Sequence, residues 1–385
     1  MPRLILQRLG DWTYVQWLVP YHGIKVCSLR EIDCCTGRFM LRVVAVLAKG
    51  LLGLILIALS AWGVLALRHA GPGDDHLRLG LAAGLAVGSL GLMIALASPR
   101  WRRSALAVHV GLLAGLFVWW STLEPSNDRV WQDDVAVLSH ATVEGDFVTV
   151  HNIRNADYRS ENDYTVAYYD KRFDLRKLEG VDLLAVYWMG PAIAHIFLSF
   201  AFADGDHLAV SIETRKERGE SYSTLKGFFG QYELYYVVAD ERDVIRLRTN
   251  FRKDPPEEVY LFRMRAPIEN ARRLFLDYVR EINALKSRPE FYNTLTTNCT
   301  TNIWFHSRVN AGHPHFSWKI LASGYVPEYL YELGRLDTRM PFEELRQLAH
   351  INARAHAADG AADFSQRIRE YSNNPPAATI QGIPR

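Results

Sequence analysis

The chain contains little cysteine and carries almost no net charge. Only four cysteines occur in 385 residues, and the formal charge at neutral pH is +2. A nearly neutral chain gives no electrostatic reason to expect a nucleic-acid partner. Cys27, Cys34 and Cys35 lack the Cys-x2-Cys spacing and the further ligands of a zinc site. The sequence therefore predicts neither a nucleic-acid-binding protein nor a structural zinc domain, and no cofactor.

Three long apolar runs occupy the first third of the chain. They cover about residues 43–67, 79–97 and 105–123, and each has the roughly 18–20 residues that a helix needs to cross a bilayer. The first run is too long for a cleaved signal peptide. The alternative, a set of buried helices in a soluble core, suits such long runs poorly. We therefore predict that residues 40–123 form a three-helix transmembrane region.

Glycine recurs in the second apolar run at three- or four-residue intervals. Small residues at this spacing favour close packing of helices in lipid. The positions are Gly80, Gly84, Gly88 and Gly91.

Positive charge predicts the orientation of these helices. The loop at residues 99–103, Pro-Arg-Trp-Arg-Arg, is short and basic, whereas several acidic residues follow the third run. The positive-inside rule places this loop and the N-terminus in the cytoplasm. Everything after residue 124 is then expected outside, in a periplasm or its equivalent.

The two ends of the chain read differently from the rest. Residues 1–39 show no clear hydrophobic period, and Met40 begins a more typical start, a short basic segment before an apolar run. We expect residues 1–39 to be a weakly ordered cytoplasmic N-terminus. Residues 372–385 contain Asn-Asn-Pro-Pro and are expected to be a disordered tail.

Polar residues that cap helices surround Cys299. The segment 292–304 reads Tyr-Asn-Thr-Leu-Thr-Thr-Asn-Cys-Thr-Thr-Asn-Ile-Trp. Thr and Asn are preferred just before a helix, and a cysteine in the first turn gains thiolate character from the helix dipole. Because the other cysteines are predicted to be cytoplasmic, Cys299 has no disulfide partner outside, and a lone thiol there favours a functional role. The alternative is a polar loop that happens to contain a cysteine.

A histidine and a carboxylate are candidates to act with this thiol. His195 lies in an apolar strand, and a turn at residues 204–206 leads into a second strand from His207 to Thr214. If those three residues form the loop, the residue numbers of each pair across the two strands add up to about 410. His195 then lies opposite Arg215 and diagonal to Glu213. A core histidine and a surface Glu213–Arg215 pair remain the alternatives.

The rest of residues 124–371 indicates a domain of class α+β. Strand-like runs occur at residues 146–153, 163–169 and 183–188, residues 232–248 are read as further strands, and residues 268–286 have helical apolar spacing. His306, His313 and His315 form a loose cluster after Cys299. No carboxylate stands near them at ligand spacing, so the sequence does not favour a metal site.

The order of His195, an acid on the next strand and Cys299 at a later helix start resembles circularly permuted papain-like enzymes, such as NlpC-type hydrolases and lecithin–retinol acyltransferases. Four segments more closely resemble the periplasmic domain of the bacterial lipoprotein N-acyltransferase Lnb, over roughly residues 130–335. They are HIFLSF from His195, VSIETRKE from Val210, YELYYVVADERD from Tyr232 and NCTT from Asn298.

This resemblance implies an α+β, permuted papain-like domain with an antiparallel sheet, at the outer face of the bacterial inner membrane. Cys299 would take an acyl chain from a phospholipid, and a lipoprotein amine would accept it. His195 would act as base and then acid, with Glu213 orienting it, while Asn298 and Thr300 are weaker candidates for substrate or oxyanion contacts. A thiol amidase, peptidase or lipid hydrolase of the same fold, and a non-catalytic membrane-tethered binding module, remain the alternatives.

The short connection between the third run and the first strand-like region predicts a site that opens towards the membrane. Residues 124–131 reach at most roughly 25–30 Å when fully extended. Trp119 and Trp120 suit the membrane interface. Lipid rather than peptide is then expected to supply the acyl group.

The topology is directly testable with reporter fusions. Alkaline phosphatase fused after residue 130 should be active, because that point is predicted to be periplasmic, and the same enzyme fused at residue 101 should be inactive. Activity only from the residue 101 fusion would reverse the predicted orientation.

Overall fold

In the computed structural model, side chains are described for residues 40–370. Strands β1 (Ile5–Leu9) and β2 (Trp12–Gln16) and the start of the first helix are described by their backbone alone. The predictions of a weakly ordered N-terminus and a disordered C-terminal tail fall outside the residues described with side chains. The chain divides into two compact units between Thr122 and Leu123.

The first unit holds the long apolar helices. They are α1 (Leu29–Ala70), α2 (Asp75–Leu96) and α3 (Arg102–Ser121). Among the described residues, three helices are long and apolar enough to cross a membrane, and their spans are Met40–Ala70, Asp75–Leu96 and Arg102–Ser121. The prediction of three candidate membrane helices before the soluble region is confirmed.

Close packing inside this unit occurs at α1 rather than at the glycines of α2. A Cβ placed on Gly63 would lie 2.5 Å from Cδ2 of Leu116 on α3, whereas Gly80, Gly84, Gly88 and Gly91 have open space within 4 Å. The expectation of helix packing at those glycines is therefore wrong within this unit, because they face away from α1 and α3. A buried contact of 2.8 Å between Ser60 Oγ and His109 Nε2 also joins α1 to α3.

The second unit is built on a twisted sheet. Its strands are β3 (His140–Glu144), β4 (Phe147–Arg154), β5 (Asp157–Tyr158), β6 (Tyr164–Thr165), β7 (Tyr168–Asp174), β8 (Leu178–Tyr187), β9 (Ala194–Phe202), β10 (His207–Arg215), β11 (Glu233–Ala239) and β12 (Glu258–Arg263). The order in the main sheet is β12-β8-β9-β10-β11-β4-β3, and β7 also pairs with β4. Its neighbouring strands are antiparallel except β11 and β4, which meet in parallel at Ala239 and Arg154.

Helices pack on both faces of this sheet. They are α4 (Thr224–Gly227), α5 (Glu241–Arg246), α6 (Ile268–Ser287), α7 (Cys299–Ser307), α8 (Trp318–Leu321), α9 (Val326–Glu332), α10 (Phe342–Ala349), α11 (Asn352–Ala357) and α12 (Phe364–Arg367). The predicted α+β class with a mostly antiparallel sheet is confirmed. Residues 232–248 are not all strand, however. β11 ends at Ala239, and Asp240 caps α5 by accepting from the Arg242 amide.

Alternation along the strands divides the core into two layers. On β9, Ile196, Leu198 and Phe200 point to the face covered by α6, while Phe197 points to the face covered by α5, α11 and α12. Helix α6 forms because its apolar residues recur every three or four positions and so share one stripe. Those buried in the core are Ala271, Phe275, Tyr278, Val279, Ile282 and Leu285. This leaves β9 and β10 in the centre of the sheet, with core packing on both of their faces.

A buried ion pair ties β4 to α5. Arg154 donates from Nε and Nη2 to Asp243, which also accepts from the amide of Ala156 and the hydroxyl of Tyr158. Both charged side chains are almost fully buried. Removing one partner leaves the other charge without compensation in a poorly solvated site.

Replacing this carboxylate should destabilise the second unit. Asp243→Ala is expected to lower the free energy of unfolding by about 3–5 kcal/mol, because the buried Arg154 loses its close carboxylate partner and keeps only Asp134, 3.8 Å away. Thermal unfolding of the detergent-solubilised chain, followed by tryptophan fluorescence, measures the effect. Asp163→Ala breaks the exposed pair with Arg159 and should leave the melting temperature nearly unchanged. Equal melting temperatures for the two variants would contradict the assignment.

Candidate active site

Cys299 is the first residue of α7, as the capping pattern predicted. Asn298 is the N-cap residue, and its side chain accepts from the Thr301 amide while the Thr301 hydroxyl accepts from the Asn298 amide. This reciprocal capping box fixes where the helix begins. The backbone amides of Ile196 and Thr300 lie close enough to the Cys299 sulfur to lower the pKa of the thiol. The thiol therefore lies at the positive end of a helix, against strand β9.

The hairpin that carries His195 has a different register from the predicted one. Leu198 pairs with Val210 and Ala201 with His207, so paired positions sum to 408 rather than 410. The Gly205 amide donates to the Phe202 carbonyl, and Gly205 has φ of +83°, so the three-residue loop begins at Ala203 instead of Asp204. Extended to the end of β9, this register puts Glu213 opposite His195, and the predicted pairing with Arg215 is wrong.

Arg215 is used elsewhere. Its guanidinium donates to the carbonyls of Val135 and Ala136 and lies over the ring of Trp131. Arg215 is buried at the C-terminal end of β10. The alternative of a surface pair between Glu213 and Arg215 is therefore also wrong.

His195 and Cys299 meet in the structure and shift each other's proton affinity. Burial raises the pKa of the Cys299 thiol, but the charge of His195, its hydrogen bond and the two amides outweigh burial, so that the pKa is lowered. Burial and the charge of Arg248 lower the pKa of His195, yet the contacts with Cys299 and Glu213 raise it overall. Both directions favour a thiolate–imidazolium pair.

A serine that sequence reasoning did not single out bridges His195 and Glu213. Ser211 Oγ lies 2.7 Å from His195 Nε2 and donates to Glu213 Oε1 at 2.8 Å. A hydroxyl has one proton, and Ser211 gives it to the carboxylate, so it must accept from Nε2–H of the imidazole. The neutral imidazole is then bare at Nδ1, the nitrogen left to accept the thiol proton.

Glu213 is held as a carboxylate by a buried arginine. Burial raises the pKa of Glu213, but the charge of Arg248 and the contact with His195 bring that pKa well below its usual range. Arg248 Nη2 donates to Glu213 Oε1 at 2.8 Å, and its Nη1 lies 3.3 Å from Glu257 Oε2. Glu213 Oε1 also stands 3.5 Å from His195 Nε2.

Arg248 reaches this position from a π-helical turn, Leu247–Phe251, that follows α5. Such turns are rare and often occur at functional sites. Arg248 was not expected at the site, because residues 232–248 were predicted to be strands. The only local signal was Asp240-Glu241 at the end of an apolar run, which is typical of a helix start.

The side chains of Asn298 and Thr300 are occupied by intramolecular hydrogen bonds. Asn298 Nδ2 donates to the Thr294 carbonyl, and its oxygen accepts from Thr300 and Thr301. The Thr300 hydroxyl lies 2.7 Å from the Ile320 carbonyl. The backbone amide of Thr300, rather than its side chain, is the group of this residue that lowers the pKa of the thiol.

An apolar cavity of about 160 Å³ lies between β9 and α7, and it is lined by neighbours of Cys299 and His195 rather than by these two residues themselves. It touches Ile196, whose amide contacts the sulfur, and Thr300, the residue after the cysteine. Further in, it passes between β9, α6 and α7, and most of its wall is aliphatic. Wall residues from these elements include Leu198, Ala271, Leu274 and Ile303.

The histidines after Cys299 do not converge on one point. His306 is buried, with Nδ1 2.8 Å from Asp277 Oδ2 and Nε2 2.7 Å from the Tyr236 hydroxyl. Burial lowers the pKa of His306 to about 4. His313 contacts the carbonyl of Pro314. His306 is therefore a neutral, hydrogen-bonded core residue.

The geometry of these groups can be compared with known families. Residues 164–324 match the model of the Lnb N-terminal periplasmic domain. Comparisons with curated proteins and with solved structures found no significant match. Cys299, His195, Ser211, Glu213 and Arg248 all lie inside the matched segment. The chain therefore resembles the Lnb periplasmic domain, and with its apolar helices this indicates a membrane protein whose C-terminal unit is a periplasmic domain.

Chemically, the arrangement can present a nucleophilic sulfur at neutral pH. The imidazole can accept the thiol proton at Nδ1 while Ser211 and Glu213 hold its other nitrogen. Amides at the start of α7 can donate to a negatively charged oxygen that forms beside the sulfur.

The reactivity of Cys299 should reveal this arrangement. Its alkylation by iodoacetamide, followed by mass spectrometry of the peptide that contains it, should reach half its maximal rate below about pH 8.5, the usual thiol value. His195→Ala should move that midpoint upwards, because the imidazolium that lowers the thiol pKa is removed. Ser211→Ala should move it in the same direction by less.

A matched control uses another buried strand serine. Ser199 on β9 donates to Glu241 and does not contact His195, so Ser199→Ala should leave the midpoint unchanged. An identical profile for the wild-type chain and His195→Ala would contradict the pairing.

Proposed function

We propose that this chain is a membrane-anchored, periplasmic, cysteine-dependent acyltransferase. In this proposal an acyl chain passes from a phospholipid to Cys299 as a thioester and then to an amine, such as the N-terminus of a lipoprotein. The observation that carries the proposal is the apolar cavity lined by Ile196 and Thr300, the residues that follow His195 and Cys299 in the chain. A fatty acyl chain gains free energy in such a mostly apolar space, whereas a polar peptide or glycan would lose the solvation of many of its hydrogen-bonding groups there.

The first half of the reaction forms the thioester. His195 holds the proton of the Cys299 thiol, and the sulfur attacks the ester carbonyl of the phospholipid. As the carbon–oxygen bond breaks, His195 gives the proton to the departing alkoxide. The products are a lysophospholipid and an acyl group bound to Cys299, with the chain in the cavity.

The second half transfers the acyl group. The acceptor amine attacks the thioester carbonyl and gives a proton to His195. The carbon–sulfur bond breaks, and the thiolate returns to its pair with the imidazolium. An amide is formed and the enzyme is regenerated. The two half-reactions balance in atoms and electrons without a cofactor.

Ser211, Glu213 and Arg248 position the base in this scheme. Ser211 keeps the proton of the neutral imidazole on Nε2, and Arg248 keeps Glu213 ionised. The backbone amides that contact the sulfur belong to Ile196 and to Thr300 at the start of α7. They are the donors we assign to the oxyanion of both half-reactions.

The identity of the acceptor rests on the resemblance to Lnb. A lipoprotein amine is the acceptor that this resemblance implies. The basic loop at residues 99–103 supports an N-terminus in the cytoplasm, and we propose that the enzyme lies in a bacterial inner membrane. Water in place of the amine would make the same site a thiol hydrolase.

The experiment is to incubate the purified chain with phospholipid bearing 16-carbon chains and to measure its intact mass. The wild-type chain should gain one acyl group on Cys299, and an added lipopeptide amine should remove it. Leu274→Trp fills the cavity from α6 and should reduce the adduct about tenfold or more, since the chain loses its apolar site. Cys299→Ala should form none.

Leu276→Trp is the matched control. Leu276 also lies half-buried on α6 but does not line the cavity, so this variant should form the adduct as the wild type does. Cleavage of peptidoglycan fragments with no acyl adduct would favour a peptidase instead. No reaction with either substrate, together with an unreactive thiol, would favour a non-catalytic binding module.

A further inference from the structure

Large apolar side chains stand exposed on two short helices and a loop near Cys299. A typical soluble surface carries such residues singly, and a concentration of them marks a site of interaction. We call them the apolar rim: Leu225, Phe228, Leu295, Phe316, Trp318 and Leu321. Leu295 is 52% exposed, Phe316 54% and Trp318 61%.

One side of the rim is fixed to the chain just before the thiol. The Thr294 hydroxyl donates to the Thr224 carbonyl, and the Thr294 amide donates to the Gly227 carbonyl. These bonds hold α4 against the loop that contains Leu295. Asn298, the residue before the cysteine, donates to the Thr294 carbonyl. Leu225, Phe228 and Leu295 therefore lie beside the N-terminus of α7.

The other side of the rim is fixed to the chain just after the thiol. The Thr300 hydroxyl lies 2.7 Å from the carbonyl of Ile320 in α8. Trp304 on α7 packs edge-on against Phe316 at 5.3 Å between ring centroids. Thr300, Trp304 and Ile320 also line the apolar cavity. The apolar rim at the surface therefore adjoins the apolar residues that line the cavity inside the domain.

Basic residues accompany the rim. Lys226 lies in α4, between Leu225 and Phe228, and Arg308 lies over the rings of Trp304 and Phe305. Within residues 40–370, neither has a carboxylate partner. Aromatic side chains with uncompensated Lys and Arg are typical of surfaces that bind the interface of an anionic bilayer.

We propose that the apolar rim docks onto a phospholipid surface and that lipid reaches the thiol and its cavity through it. This inference rests on the proposed function and names how its donor is delivered. A bilayer fits better than a protein partner, because the same chain carries three membrane-spanning candidates that end at Ser121, ten residues before Trp131 in the second unit. A diacyl lipid is insoluble, so its carbonyl must come to Cys299 directly from the bilayer.

The test compares a substrate in a bilayer with a soluble one. The full chain is reconstituted in phosphatidylglycerol nanodiscs. The double variant Leu295→Ser/Trp318→Ser is compared with Val130→Ser/Val143→Ser, which removes two exposed apolar side chains that do not belong to the apolar rim. The rim variant should lose about tenfold or more of its acyl transfer from bilayer lipid, since its apolar contacts with lipid are removed. It should cleave the soluble ester nitrophenyl butyrate within about twofold of the wild-type rate, because the dyad is intact. The control variant should keep both activities.

A photoactivatable phospholipid provides a second readout that needs no turnover. Peptides that contain residues 222–228 and 316–321 should be labelled in the nanodisc, and labelling there should fall in the rim variant. Labels confined to α1, α2 and α3, or cross-links from the rim to those helices, would overturn the docking proposal. So would full bilayer activity in the rim variant.

Failure of the proposed function has a different signature. Cys299→Ala that still cleaves the soluble ester and transfers lipid acyl groups would remove the acyltransferase proposal, whatever the labelling of the rim. If the rim variant loses only acyl transfer from bilayer lipid, and both activities still require Cys299, the result supports docking of the apolar rim.

Discussion

The hydrogen bond between His195 Nε2 and Ser211 Oγ is the contact on which the site depends. It requires β9 and β10 to run side by side with His195, Ser211 and Glu213 on one face, and the central position of these strands in the sheet provides this. Ser211 then decides which imidazole nitrogen is free, and the position of α7 decides what that nitrogen meets. The lowered pKa of Cys299 follows from this chain of contacts and the helix terminus, against the effect of burial.

Local patterns in the sequence were sufficient for part of this picture. The long apolar runs identified the membrane helices, and Asn298 with Thr301 fixed the beginning of α7, because capping involves residues only three positions apart. Alternation on β9 and β10 put His195 and Glu213 on the same face. The two residues stay on the same face although the predicted register was wrong. The loop begins one residue earlier than predicted, which shifts the pairing by two residues, and residues two apart on a strand share a face.

Other features depend on contacts between distant parts of the chain. Arg248 comes to Glu213 from a π-helical turn 35 residues later, and no local pattern indicates which face of that turn will meet the sheet. Ser211 had the correct parity but is a small polar residue in a buried strand, which alone suggests no role. The cavity is formed by β9, α6 and α7 together and so cannot be seen in any one segment. The assignment of roles to these residues stays a proposal.

The C-terminal helices have a consequence for where this domain can be cut. The segment that resembles Lnb ends at residue 324 and contains every residue of the thiol site. The side chain of Asn352 nevertheless bonds the backbone at Glu257 and Val259, and Arg369 forms buried ion pairs with Asp182 and Glu241. Ile351, Phe364 and Ile368 complete one of the two core layers. The limits of the family likeness and the limits of the packed core are therefore different: the candidate site lies within the shorter segment, while part of the core that covers the sheet comes from residues beyond it.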